Sequence, residues 1–191
     1  MNPLTVFISV LTLVFTQELT AQDFTFRNSK WGMDTIQVKN AETALLLYSK
    51  GNSLVYNGKL SNLDTKIVYD FTPTNNRLYQ SFYIINLNSK NPSIYVKNFL
   101  MLEELLTTKY KQPVRKSANT INGKVITQDE WASNLISDNL NLETKWTTDD
   151  TEIILSLYSI NDELLIEIRY TSVVYNKKAD EEKKVKILKE L

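Results

Sequence analysis

Residues 91–113 read NPSIYVKNFLMLEELLTTKYKQP. Asn91 is a good helix cap, and Pro92 fits the first helical position, where a missing N–H costs no hydrogen bond. Tyr95, Phe99, Leu102, Leu106 and Tyr110 recur at steps of four, three, four and four, one continuous apolar stripe. About eighteen residues make a rod of roughly 27 Å, enough to cross several strands, and Pro113 stops it.

The runs on either side of this helix are too short, and too rich in β-branched and aromatic residues, to be helices. Upstream, residues 44–49 and 53–59 flank Lys50-Gly51-Asn52, a hairpin signal. Asn57-Gly58 predicts that the second run stops at Tyr56. In 63–71, Ile67, Tyr69 and Phe71 share one face, opposite Val68 and Asp70. After the turn at 72–76, the run 77–86 sets Leu78, Phe82 and Ile84 against Tyr79, Ser81 and Tyr83. Downstream, 124–128, 142–147, 152–158 and 164–171 read as strands, and 132–141 fits either helix or loop. In the last strand Leu164, Ile166, Ile168 and Tyr170 alternate with Leu165, Glu167, Arg169 and Thr171, giving one buried face and one largely wet.

Ahead of these runs, Trp31-Gly32-Met33-Asp34-Thr35-Ile36-Gln37-Val38 reads as a turn leading into a short helix that ends by Thr43. Asp34 caps it, and Gln37 has the spacing to reach back and complete a capping box. Gly32 supplies the turn's unusual backbone angles, and Trp31 and Met33 staple it to the core. The expected fold is therefore α+β: a single antiparallel sheet of six to eight strands, with one short and one long helix packed on one face. Two α-β-β-β halves, about 31–88 and 91–175, read as an internal duplication.

The ends read differently. Residues 3–15, PLTVFISVLTLVF, are too few to span a membrane but suit the apolar region of a secretory signal, with Ala21 before a cut at Gln22. The expected mature product, 22–191, is soluble, exported to the periplasm or beyond, and has no transmembrane segment. It divides into an α+β domain over 22–175 and a charged tail over 176–191. The tail is expected to be a solvated helix held by Val185 and Leu188, with Asp180–Lys184 and Glu182–Lys186 pairs.

Composition excludes more functions than it names. The chain has 191 residues, 22 Lys+Arg against 22 Asp+Glu, and no His or Cys. Histidine- or cysteine-based catalysis, Cys/His zinc, haem, iron–sulfur clusters and disulfides are thereby removed. Zero net charge argues against a nucleic-acid backbone binder, and four glycines leave no phosphate-cradling motif. Among carboxylate pairs, Glu103 and Glu104 point apart on a helix, while Asp149 and Asp150 sit in a turn, where Asp is favoured for backbone hydrogen bonding. With Glu152 the latter two lack EF-hand spacing. No catalytic residue, cofactor or metal is expected. Trp31 and Trp146 read as core anchors; Trp131 is the least constrained.

Gly32-Met33-Asp34-Thr35-Ile36-Gln37-Val38 resembles the G-M-T-x-x-Q-V helix start of the small outer-membrane-assembly lipoproteins of bacteria. Their fold is similar to half of a β-lactamase inhibitor protein, in which two helix-plus-sheet units lie in tandem. The chain also resembles exported bacterial proteins that open with W-G-M after the signal and end a long mid-chain helix with Y-x-x-P, here Tyr110-Lys111-Gln112-Pro113. The resemblance implies a tandem α+β sheet protein that binds something, and carries over no catalytic residue.

The surface expected to do the binding is the sheet face away from the helices, presenting Tyr79, Tyr83, Ser156, Tyr158, Glu167 and Arg169. Tyr and Arg suit binding because a ring or guanidinium fork can be desolvated while its polar tip stays satisfied. The expected partner is a protein or other envelope component. The alternative is a small apolar ligand carried between the long helix and the sheet, under Phe99 and Leu102.

Overall fold

The computed structural model of the chain describes residues 25–137 and 139–190. The apolar leader at 1–21 and the expected start at Gln22 lie outside them. The elements run α1 (Thr35–Ala41), β1 (Leu45–Lys50), β2 (Ser53–Leu60), β3 (Leu63–Phe71), β4 (Leu78–Ile85), α2 (Pro92–Tyr110), β5 (Arg115–Thr120), α3 (Trp131–Ile136), β6 (Leu140–Thr147), β7 (Thr151–Ile160), β8 (Glu163–Ser172) and α4 (Val173–Glu190). The eight strands form one antiparallel sheet in the order β1-β2-β3-β4-β8-β7-β6-β5. Each half is a helix followed by a four-strand meander. The closing strands of the two meanders, β4 and β8, pair at the centre, where Tyr83 opposes Ile168.

The helix signals work as local chemistry requires. Asp34 accepts from the Ile36 and Gln37 N–H groups, and the Asp34 N–H donates to Gln37 Oε1 at 3.0 Å, completing the capping box. Asn91 caps α2 by accepting from the Ser93 N–H at 3.0 Å. The helix ends at Lys111, which adopts φ +68°, two residues before Pro113. Along α2, Tyr95, Phe99, Leu102 and Leu106 are buried. They join one apolar cluster with Val38 of α1 and with Ile67, Tyr69, Tyr83, Ile85, Leu142, Trp146, Leu155, Ile168 and Tyr170. Burying each such side chain stabilises the fold by about 1.5–3 kcal/mol before entropy is counted.

Several expectations are corrected. β2 runs straight through Asn57-Gly58, and Gly58 serves close packing rather than a turn. A Cβ there would lie 2.5 Å from Ile67 Cδ1. The first strand after α2 is Arg115–Thr120, not 124–128: residues 124–127 have no regular structure, and residues 128–130 form a 3₁₀ turn into α3. The faces of β4 are reversed beyond its start. The register shifts between Asp70 and Phe71, so that Phe71 opposes Leu78, Asp70 opposes Gln80, and Tyr79 is the extra residue. Ser81, Tyr83 and Ile85 therefore face the core, and Phe82 and Ile84 face away.

Segment 25–33 plugs the first half. Phe26 sits among Tyr69, Tyr83 and Tyr170, with ring centroids 5.4, 4.8 and 5.1 Å away. Arg27 makes a bidentate pair with Glu42 at 2.7 and 3.0 Å. The Trp31 indole N–H donates to Thr151 Oγ1 at 2.8 Å, tying this plug to the other half. Gly32 has φ +82°, and a Cβ on it would lie 2.3 Å from the Tyr175 hydroxyl of α4.

Helix α4 begins at Val173, directly after β8. Ala179 is its buried residue, and Glu182 fastens it to the 72–76 turn by accepting from the Thr74 and Asn75 N–H groups at 2.7 and 3.2 Å. Val185 and Leu188, the expected anchors, are exposed. The ion pair observed along the helix is Lys183–Asp180 at 3.5 Å.

Candidate binding face

Strand alternation puts two cross-strand rows on the sheet face opposite α2. One is Val68–Phe82–Arg169–Ile154–Lys145, and the next is Lys66–Ile84–Glu167–Ser156–Glu143. Tyr158 lies beyond Ser156 on β7 and reaches Glu167. Four of the expected residues therefore come together, with Ser156 directly opposite Glu167. The Tyr158 hydroxyl donates to Glu167 Oε2 at 3.2 Å, and Arg169 donates to Glu167 Oε1 at 2.9 and 2.6 Å. Glu167 is buried, and its carboxylate is satisfied from both sides. Arg169 also lies over the Phe82 ring, 5.5 Å from its centroid. The Tyr158 hydroxyl is pushed up to about 12, first by burial and then by the neighbouring Glu167 charge. It therefore stays a neutral donor across physiological pH.

The other two expected residues are elsewhere. Tyr83 points into the core against Phe26 and Tyr170. Burial is the main cause that raises its hydroxyl pKa; Arg27 opposes the shift. Tyr79, at the bulge, is covered by α4, with Lys183 over its ring at 5.4 Å. Lys183 also neighbours Asp70, whose carboxyl is raised chiefly by burial and held down in part by Ser53, Lys183 and Arg169. The face is thus not helix-free, because α4 covers its Asp70–Tyr79 end.

What remains open is more apolar than the sequence reading expected. Val68, Phe82, Ile84, Ile154, Tyr158 and Leu165 are half-exposed there. An antiparallel sheet turned to water normally alternates to polar residues on that side. The alternation in β4 predicts Phe82 and Ile84 on the opposite face, and the β3–β4 bulge turns them to this one. Ile154 lies on a strand with apolar residues at both parities, which period two alone does not orient. The charges around them balance: Lys66, Lys145 and Arg169 against Glu143, Glu152 and Glu167, with Lys145 paired to Glu152.

A second depression lies between α2 and the β5–β6 edge. It is a groove of about 340 Å³ lined by Phe99, Leu100, Glu103, Lys116, Trp131 and Thr144 among others. Glu103 is occupied, receiving Thr144 Oγ1 at 2.5 Å and Lys116 Nζ at 2.8 Å. The Trp131 indole N–H is buried without a partner among the described residues. Leu102, expected to roof an apolar pocket, is packed in the core instead. Asp150 accepts from the Thr148 and Thr151 hydroxyls at 3.1 and 2.7 Å, a turn-forming role. Among the described residues no group of three or more acidic side chains is placed to hold a metal ion, and no helix is long and apolar enough to cross a membrane. The chain matches no protein-family model, no curated protein and no solved structure.

Proposed function

We propose that this chain is an exported, non-enzymatic binding protein of the bacterial envelope that engages a protein partner through the open sheet face. The observation that supports this reading is the half-exposed apolar set Val68, Phe82, Ile84, Ile154 and Tyr158, on the side of an antiparallel sheet where polar residues are the rule. The face is broad and shallow, which fits a macromolecular surface better than a small ligand. Its positive and negative side chains balance in number, so it favours a partner of little net charge over a polyanion. Arg169 and Tyr158, already held by Glu167, are preorganised contacts at its centre.

The test is a quantitative capture from envelope extract, followed by titration of whatever is captured against purified bait. The Phe82→Ser/Tyr158→Ser variant is expected to lose the captured partner, with affinity falling at least tenfold, while its circular dichroism stays that of the wild type. Equal affinity for both baits would overturn the assignment to this face.

A second reading, a carrier of a small apolar molecule, is supported by the Phe99–Trp131 groove and its unpaired indole N–H. A ligand there would need one hydrogen-bond acceptor. Fluorescence titration comparing wild type with Trp131→Phe would reveal it as a saturable signal lost in the variant.

A further inference from the structure

The outermost strand of the first half is unusual. β1 reads Leu45-Leu46-Leu47-Tyr48-Ser49-Lys50, and all six residues are exposed. Leu45, Leu46, Leu47 and Tyr48 are 68, 39, 40 and 54 % accessible. Among the described residues β1 pairs only with β2, and its other edge offers backbone N–H and C=O groups with no strand partner there. Edge strands in monomeric proteins are ordinarily blunted by charge, because an unpaired apolar edge is a template for another chain. The opposite edge follows that rule. β5 reads Arg115-Lys116-Ser117-Ala118-Asn119-Thr120, with Arg115 and Lys116 paired to Glu143 and Glu103.

We propose that the β1 edge is a self-association site, where two copies of this chain pair their β1 strands antiparallel about a two-fold axis and continue one sheet into the other. Three features choose a second copy as the occupant. First, an antiparallel strand pair is self-complementary, so Leu45–Tyr48 of each copy covers the same residues of the other. Second, the two edges of the sheet do not match. Head-to-tail pairing of β1 on β5 would set an apolar edge against Arg115 and Lys116, so the open, filament-forming arrangement is disfavoured and the closed pair remains. Third, nothing repels. The chain has zero formal net charge, and the one charge on β1, Lys50, sits at its end. In an antiparallel pair centred near Leu47 the two Lys50 side chains would be roughly 20 Å apart, beyond the Debye length of about 8 Å at physiological salt.

The ladder to β2 carries a bulge at Leu47, where Leu46 opposes Tyr56 and Tyr48 opposes Val55. This bend limits regular pairing to a short run, so the interface is small and the dimer weak, with a dissociation constant on the order of micromolar.

The inference is independent of the open-face reading, because β1 and the Phe82–Tyr158 surface are altered by different substitutions. The experiment is sedimentation of the full chain from about 1 μM to about 500 μM, a range that brackets a micromolar constant. The wild type is expected to pass from one copy to two and stop there. Leu46→Lys/Tyr48→Lys is expected to weaken association at least tenfold while retaining the wild-type circular dichroism. Should that variant fail to fold, Leu46→Thr/Tyr48→Thr keeps the strand propensity and serves in its place. The chain has no cysteine, so a spin label at Leu47→Cys or at Asn119→Cys is unique in each copy. A shorter inter-copy distance for the Leu47 label than for the Asn119 label supports the pairing. A wild type that stays single throughout, assembles beyond two, or associates equally well with lysines on β1 would overturn it.

Discussion

The two halves of the sheet carry the same four-strand meander under covers of very different size. Over the second half lies α2, nineteen residues long, with α3 beside it, and the seal is almost wholly apolar. Over the first lies α1, seven residues long, which buries only Val38. Too short to seal its half, it is supplemented by the plug at Phe26 and by a polar lock. Glu42, just past the helix, has a side chain fully shielded from solvent. It receives Arg27, the Tyr69 hydroxyl at 2.5 Å and the Thr43 and Ala44 N–H groups at 2.8 Å each. A buried carboxylate is tolerable only when satisfied this completely. The contrast teaches that one meander can be closed by apolar area or by a saturated ion pair, and among the described residues nothing covers the outer strand β1 of the half closed the second way.

The largest test of this contrast removes the acid in each half. Glu42→Ala leaves Arg27 without its carboxylate and the Tyr69 hydroxyl without its acceptor, and is expected to cost about 3–5 kcal/mol. Glu103→Ala, which breaks a more open pair with Lys116, should cost about 1–2 kcal/mol. Urea unfolding of both variants measures the difference, and equal losses would remove the distinction between the two seals.

The next test addresses how the first half is fastened to α4. Gly32→Ala imposes a left-handed backbone angle on alanine and drives its methyl into Tyr175, at an expected cost of about 2–3 kcal/mol. Adding Tyr175→Ala removes the collision but not the backbone strain. The double-mutant cycle should therefore be non-additive by about 1 kcal/mol or more.

Two smaller effects depend on pH. Burial alone would raise the Glu42 carboxyl, but hydrogen bonds from Arg27, then Tyr69, then the Ala44 N–H outweigh it and hold the group below its ordinary value. A lowered folded-state value means the folded protein binds this proton less readily than the unfolded chain. The contribution is thus present above the ordinary carboxylate range and lost as pH falls through the folded value. The stability gap between wild type and Glu42→Gln should hold constant down to about pH 5 and then narrow in acid. Asp70 has the opposite sign, since burial raises it. Its contribution is present in acid and lost as pH rises through its folded value, so Asp70→Asn should be more stable than wild type at neutral pH. That gain should vanish in acid, and pH-dependent thermal melts of both variants would record the crossing trends.

Much of the architecture was legible because it is written in local chemistry. The Asp34–Gln37 box, the Asn91-Pro92 start and the α2 stripe each involve residues within a few positions of one another, and the strand at 63–71 matched in both bounds and facing. The candidate site was legible only in part. Tyr158, Glu167 and Arg169 lie on strands whose alternation is unbroken, and the structure brings them together. Tyr83 was misplaced because one extra residue at the β3–β4 bulge inverts every side chain beyond it, and no local pattern announces such a bulge. Tyr79 is lost to the open face for a different reason, because α4 covers that end of it. β5 escaped notice because RKSANT lacks strand propensity and becomes a strand by pairing with β6.

Short-range rules of capping, periodicity and turn chemistry thus dictated the helices other than α3 and most of the strands, and the absence of His and Cys removed whole classes of chemistry. Three-dimensional packing decided which faces are open, that α4 covers the Tyr79 end, that Phe26, Arg27 and Glu42 lock the first half, and that β1 lies bare. The reason is physical. Propensity and capping act over a turn or two of chain, whereas exposure depends on contacts between residues many tens of positions apart, which a one-dimensional pattern does not encode.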